Sequence, residues 1–330
     1  MQVRPYGLLL YERVEYEFPN YHYKDKNGDL YDTETGEKKE INKELYTGQI
    51  TEYSRKRLKR AINLLVATAE DKEAINFKNG KTFKFKVNFL TLTLPSPQKD
   101  ITDKQLKKEC FDPFIKRLKR KYKLGSYVWR AERQKNGNLH FHIITDCYIR
   151  YDHLRDNWNT CLDKFHFLDD FKTKHGHGTP NSTDVHSVQK IKNLASYIVK
   201  YMSKESTEAD KIEGKIWDCS TNLKAKQNCE MLFDTEQEEI WDMALEEKDC
   251  KEIIGDRFTL LILSSYALQK VLKGQTAEAW TEYKNCIRSG VFPVPAEIMP
   301  EPPPTEIRQP PQPPKPYSIQ MSIEGFAIIT

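Results

Sequence analysis

Between Trp129 and Thr145 the chain reads as two strand-forming runs around Asn136-Gly137, and the second run carries two histidines two residues apart. Asn-Gly between alternating runs is a strong hairpin signal. Successive strand side chains alternate faces, so His140 and His142 share one face, while Phe141, Ile143 and Leu139 point the other way into a core. Two imidazoles on one face of a rigid strand form an incomplete metal site. The first run, Trp129-Arg130-Ala131-Glu132-Arg133, can complete it. A three-residue loop with a bulge pairs Lys135 with Leu139, Gln134 with His140 and Glu132 with His142. A two-residue turn would instead set Arg133 opposite His140. The first register is favoured because it assembles Glu132, His140 and His142. A carboxylate among imidazoles moves the preference from zinc towards manganese or magnesium.

Upstream, Phe83 to Pro95 alternates well and is aromatic and β-branched, a strand closed by its proline. Asp103 to Lys123 carries Leu106, Phe111, Phe114, Ile115 and Leu118 on one helical stripe. Tyr151 to Phe165 reads as a second helix, and Asp184 to Val188 as a short strand. A third helix, Lys190 to Lys204, packs through Ile191, Leu194, Ala195, Ile198 and Met202, with Tyr197, Lys200, Tyr201 and Lys204 on another side. Strand, helix, hairpin, helix, strand, helix implies an α+β fold: an antiparallel sheet with flanking helices and ferredoxin-like connectivity.

The 330 residues allow two modest domains. No apolar run approaches the ~18 residues that span a bilayer. Seven scattered cysteines without a Cys-x-x-Cys spacing suit a reducing cytosol. Net charge is only +4, yet Lys104 to Arg130 holds ten lysines and arginines and Glu230 to Asp256 is strongly acidic. The basic block and the Arg55 to Arg60 cluster suit a polyanion. Gly80-Lys81-Thr82 is not a phosphate loop: the motif's first glycine would fall on Ile75, and a strand follows where a helix is required. His175-Gly176-His177 reads as a loop, and His186 on the short strand is left out of the site. Residues 206–290 read as helical. Val291 to Tyr317 holds eleven prolines and reads as an extended linker or peptide ligand.

Three stretches stand in a telling order: Phe89-Leu90-Thr91-Leu92-Thr93-Leu94-Pro95, then His140-Phe141-His142, then Tyr197-Ile198-Val199-Lys200-Tyr201. Over residues 83–205 the chain resembles the HUH endonuclease superfamily, the rolling-circle replication initiators of single-stranded DNA phages, viruses and plasmids. The double tyrosine is similar to that of the gene A proteins of isometric single-stranded DNA phages. The resemblance implies an endonuclease domain over 83–205; the residue pattern adds an N-terminal α+β extension over 1–82, a helical region over 206–290, and a proline-rich linker and tail over 291–330.

It further implies metal-dependent, tyrosine-mediated nicking and rejoining of single-stranded DNA at a replication origin, through a 5′-phosphotyrosine. Glu132, His140 and His142 would hold Mg²⁺ or Mn²⁺, Tyr197 and Tyr201 would be nucleophiles, and Lys200 would lower a phenol's pKa or hold a phosphate. A helicase and polymerase would come from the host, in the cytoplasm of a bacterial cell, without membrane attachment. A two-tyrosine transposase shares this chemistry, and a plasmid relaxase would carry a further histidine. A non-catalytic nucleic-acid-binding domain would present aromatics on its open sheet face instead of histidines. A zinc hydrolase would need a motif such as His-Glu-x-x-His, which is absent.

Overall fold

In the computed structural model, the histidine-bearing run Leu139–Thr145 is the middle strand of five. The structure describes residues 1–12, 22–24, 30–32, 38–39, 48–76, 79–98, 101–188, 198–200, 202, 211–225, 227–292, 319–322 and 326–329. For 22–24, 30–32, 38–39, 186–188, 319–322 and 326–329 it describes the backbone alone. On one side the middle strand pairs with Val87–Leu92, which pairs in turn with Thr183–Val188. On the other side it pairs with Tyr127–Arg133, which pairs with the short edge strand Trp217–Cys219. All four pairings are antiparallel. With the helices Asp112–Tyr122 and Tyr151–Asp163 the chain order is βαββαβ, the ferredoxin-like connectivity expected, with one added edge strand.

Alternation divides the sheet into two faces. Leu90, Leu92, Trp129, Ala131, Phe141 and Ile143 fall on one face and join Phe111, Phe114, Leu118 and Trp158 in a core. Phe141 stacks on Phe111 with ring centroids 4.2 Å apart, and the Trp158 indole donates to the Thr93 carbonyl at 2.9 Å. Burying each such side chain contributes roughly 1.5–3 kcal/mol. Thr102 and Gln105 close a capping box at the start of the basic helical run, whose stretch Lys107–Phe111 is a π turn.

Among the described residues, the opposite face is covered at one end only. There Val87, Val128 and Ile144 meet Leu58, Ile62 and Leu65 of the helix Glu52–Thr68, together with Ile198 and Met202. That helix begins where the Thr51 hydroxyl accepts from the Ser54 amide. Its apolar residues recur at helical spacing after a basic first half.

A second antiparallel sheet orders Cys229–Glu230, Gln2–Arg4, Gly7–Tyr11, Phe258–Ile262 and Lys251–Gly255. Gly7 is required where it stands: a Cβ there would fall 1.7 Å from the Leu261 carbonyl oxygen. Residues 206–290 supply the helices Thr235–Leu245, Ser265–Val271 and Gly274–Ser289, and also the strands Cys229–Glu230, Lys251–Gly255, Phe258–Ile262 and Trp217–Cys219. The apolar run from Phe258 to Leu268, within the stretch expected to be helical, is therefore a strand followed by a helix. Helix Gly274–Ser289 ties the two sheets, with Trp280 in the second core, Ile287 in the core under Glu52–Thr68, and Arg288 donating to the Thr68 carbonyl. The strand expected over Phe83 to Pro95 is broken at Lys86: Thr82–Phe85 pairs with Lys72–Ile75, and Val87–Leu92 enters the main sheet. Residues 293–317 of the Pro-rich stretch lie outside the described residues.

Candidate metal and phosphate site

The end of the second face that no described residue covers carries Glu132, His140 and His142. The hairpin closes through a three-residue loop, Lys135-Asn136-Gly137, one position earlier than the sequence suggested. The Gln134 amide donates to the Asn138 carbonyl at 2.9 Å, and the Gly137 amide to the Gln134 carbonyl at 2.8 Å. Gly137, at φ +83°, takes the left-handed position that a bulged three-residue loop needs.

Arg133 therefore pairs with Leu139, Glu132 with His140, and Arg130 with His142. The favoured register, with Lys135 on Leu139, Gln134 on His140 and Glu132 on His142, is off by two residues. A shift of two preserves the face of every side chain, so the three residues still converge. The physical reason for the shift is tertiary. The Asn138 side chain donates to the Ser96 carbonyl and accepts from the Gln98 amide, pinning that residue beside the preceding loop.

Within the site, the His140 and His142 ring centroids are 4.4 Å apart. His142 is held from two sides: Nδ1 is 3.4 Å from the Thr91 hydroxyl, and Nε2 is 3.3 Å from Glu132 Oε2. Phe89 packs on the same ring at 5.1 Å. Burial pushes His140 down to about 4, His142 beside it pushes the same way, and Glu132 opposes both. Burial alone would raise the Glu132 carboxyl, but the hydrogen bond with His142 and the Arg130 charge carry it below its usual value. The cluster thus presents an unprotonated imidazole and an ionised carboxylate at neutral pH.

Two polar atoms of the cluster, His140 Nδ1 and Glu132 Oε1, are buried without a hydrogen bond among the described residues. Orphaned acceptor-type atoms beside a carboxylate are what a cation would satisfy, so these residues fit a small divalent ion. As they stand, Glu132 leans on His142, and the described residues hold no three side chains already spaced as a cation cage. The three residues line an open depression of about 540 Å³, rimmed by Arg133, Gln134, Lys135 and Asn136 of the hairpin.

Lys200 is exposed on the helical segment that includes Ile198–Lys200 and Met202, and Ile198 and Met202 are buried against the sheet. Tyr197 and Tyr201, the expected nucleophiles, lie outside the described residues. His175 ends the short exposed helix Asp169–His175 and packs on Phe171, while His177 accepts from the Thr179 amide. His175, expected to be loop, therefore belongs to that helix.

Sequence reasoning passed over Arg130. It stands two residues before Glu132, and the alternation that grouped the three candidate ligands also puts Arg130 on their face. It is buried, its Nε lies 3.4 Å from Glu132 Oε1, and its Nη1 donates to the Met202 carbonyl at 2.5 Å. Thr91 was part of the strand pattern but was given no role.

Compared with known families, residues 87–206 match a family of replication-associated proteins, the one that includes replication-associated protein ORF2. The matched stretch begins with the strand Val87–Leu92 and runs through the hairpin and past Met202. No curated protein and no solved structure matches the chain.

Proposed function

We propose that this chain is a rolling-circle replication initiator that nicks and rejoins single-stranded DNA at an origin through a tyrosine ester. The observation that carries the reading is the convergence of Glu132, His140 and His142 in an open depression on the same sheet face as the Ile198–Met202 segment. The whole arrangement lies inside the stretch similar to replication-associated proteins.

In this reading Glu132, His140 and His142 hold one Mg²⁺ or Mn²⁺. The ion would polarise the scissile phosphate and stabilise its developing charge. Thr91 fixes the His142 ring through Nδ1 and leaves Nε2 for the site, and burial keeps His140 unprotonated. A phenol has a pKa of about 10, so tyrosine alone is a weak nucleophile at neutral pH. Lys200, exposed beside Tyr201 in sequence, supplies positive charge to phosphate or to phenolate.

The Tyr197 oxygen attacks phosphorus, the bond to the 3′ oxygen breaks, and the phenol proton is passed through solvent to that oxygen. The products are a 5′-phosphotyrosine and a free 3′-OH. Rejoining is the reverse: a 3′-OH attacks the ester and the tyrosine leaves. Because the ester conserves bond energy, no nucleotide cofactor is consumed. Strand separation would fall to a host helicase, and extension of the 3′ end to a host polymerase.

The test is incubation of the full chain with a random pool of single-stranded oligonucleotides and Mn²⁺. A denaturant-resistant protein–DNA adduct that fails to form in chelator is expected. Absence of any adduct across the pool would refute the reading.

A further inference from the structure

We propose that Arg130 is a positioning residue that locks the carboxylate of the candidate metal site to the segment carrying the proposed tyrosines. This rests on the function proposed above and adds a residue to it. Arg130 is 3 % exposed, on the face shared by the candidate ligands, with His142 directly across one ladder and Trp217 directly across the other. Among the described residues its guanidinium reaches both the candidate carboxylate and the Met202 backbone. Nε approaches Glu132 Oε1 at 3.4 Å, while Oε2 of the same carboxylate faces His142 Nε2 at 3.3 Å. Nη1 donates to the carbonyl of Met202, the residue that follows Tyr201, at 2.5 Å.

A buried cation costs several kcal/mol in lost hydration unless it is compensated. Neutralising Glu132 alone would need only a charge, which a lysine could bring. Holding a carboxylate and a backbone carbonyl at once needs the rigid planar fork of arginine. The Met202 side chain is fully buried beside Ile198, so that carbonyl belongs to a docked piece of backbone and not to a passing loop. One side chain therefore sets the spacing between the ligand cluster and the helical segment. Because it is buried, Arg130 is not placed to touch DNA, and its contribution falls on the chemical step and not on substrate affinity.

The test compares wild type with Arg130→Lys and Arg130→Met as full chains, by thermal melting, amide hydrogen exchange, Mn²⁺ titration and cleavage kinetics. Arg130→Lys keeps the charge but not the fork. It should melt as a folded protein, bind Mn²⁺ and oligonucleotide as wild type does, and exchange the amides of 198–202 faster. Its kcat for adduct formation should fall roughly 10- to 100-fold with KM unchanged, the scale that small misplacements of reacting groups produce. Arg130→Met should lose at least as much; if it fails to fold, Arg130→Lys decides the matter. Unchanged exchange over 198–202, or wild-type kcat in Arg130→Lys, would overturn the proposal. A fall in Mn²⁺ affinity that accounts for the whole loss would also overturn it, since Arg130 would then act on Glu132 alone. A wild-type chain that makes no adduct removes the function and its positioning residue together, a result distinct from a wild type that cleaves beside an unaffected variant.

Discussion

Glu132 stands directly across the ladder from His140, yet its carboxylate turns diagonally to His142, with Oε2 3.3 Å from Nε2. The diagonal leaves His140 Nδ1 buried without a partner among the described residues, while the other nitrogen of His142 faces Thr91. The three candidate ligands share one patch, and the Glu132–His142 contact is one that a cation can replace. His140→Ala should weaken Mn²⁺ binding by at least the roughly 10- to 100-fold typical of losing an outer-shell partner, because it removes a ligand outright. Cleavage should vanish while most single-stranded DNA binding persists, since phosphate contacts are expected to come mainly from the basic residues. Isothermal titration with Mn²⁺ and a filter-binding assay separate the two effects. Full cleavage by the variant in metal-depleted buffer would exclude the site.

The same burial gives a pH signature. In the metal-free protein His140 is held down to about 4, whereas in the unfolded chain it titrates near the ordinary value of about 6.5. Between those values the unfolded chain binds the proton and the native state does not. Native stability is therefore lost as pH falls from about 6.5 to about 4, and regained as it rises. His140→Gln should flatten the stability profile in that window, measured by urea unfolding. An NMR titration of wild type showing His140 near 6.5 would contradict the burial argument.

Charge counting alone does not say which side of a sheet a basic helix occupies. The basic run ending in Asp112–Tyr122 packs on the Phe141 face, opposite the candidate ligands, and its Lys107 is buried with its ammonium on the Glu213 and Lys215 carbonyls. The basic start of Glu52–Thr68 lies on the ligand face. Ser54 accepts from the Trp217 indole at 2.6 Å, and the Arg57 guanidinium lies 6.0 Å from the Trp217 ring and 5.7 Å from that of Tyr53. Reversing Lys56 and Arg57 should weaken binding of single-stranded DNA and reduce its salt slope by roughly one for each phosphate partner removed. Reversing Lys116 and Arg120 should do much less. Equal effects in a salt titration would show that the far face binds DNA as well.

The legible part of this molecule was the part governed by period-two alternation and helical stripes. Glu132, His140 and His142 could be grouped from sequence because an even register shift moves no side chain to the other face. The register itself was not legible, since Asn138 is fixed by Ser96 and Gln98, some forty residues away. The second sheet was hidden for a related reason: Gln2 pairs with Glu230, and no local pattern announces such a partner. The edge strand Trp217–Cys219, three residues long, is too short to carry a period.

The stacked core lies beneath the strand that carries the candidate ligands. Phe141 is fully buried between the two candidate ligand histidines in sequence and stacks on Phe111. Phe141→Ala should cost about 3–5 kcal/mol of stability. Calorimetry checks this, and a loss below about 1 kcal/mol would mean that the sheet is supported otherwise.

The two tyrosines bear the most consequential prediction. Tyr197 stands three residues before Lys200, the spacing of single-tyrosine initiators in the family that the sequence resembles, and is expected to make the first ester. Tyr201 lies four residues on in the sequence; on a helix that spacing would amount to about 6 Å of rise at ~1.5 Å per residue, and both would then address one phosphate site in alternation. One tyrosine would hold the parental 5′ end while the other cuts the regenerated origin, and the released 3′-OH would then attack the first ester to close the circle. Tyr197→Phe and Tyr201→Phe should each reduce circle formation, and the double variant should form no adduct. Peptide mapping of the trapped adduct decides between the possibilities. DNA on a tyrosine outside this pair would refute the assignment. DNA on Tyr197 alone, with normal circles from Tyr201→Phe, would leave a single-nucleophile enzyme in which Tyr201 is not a nucleophile.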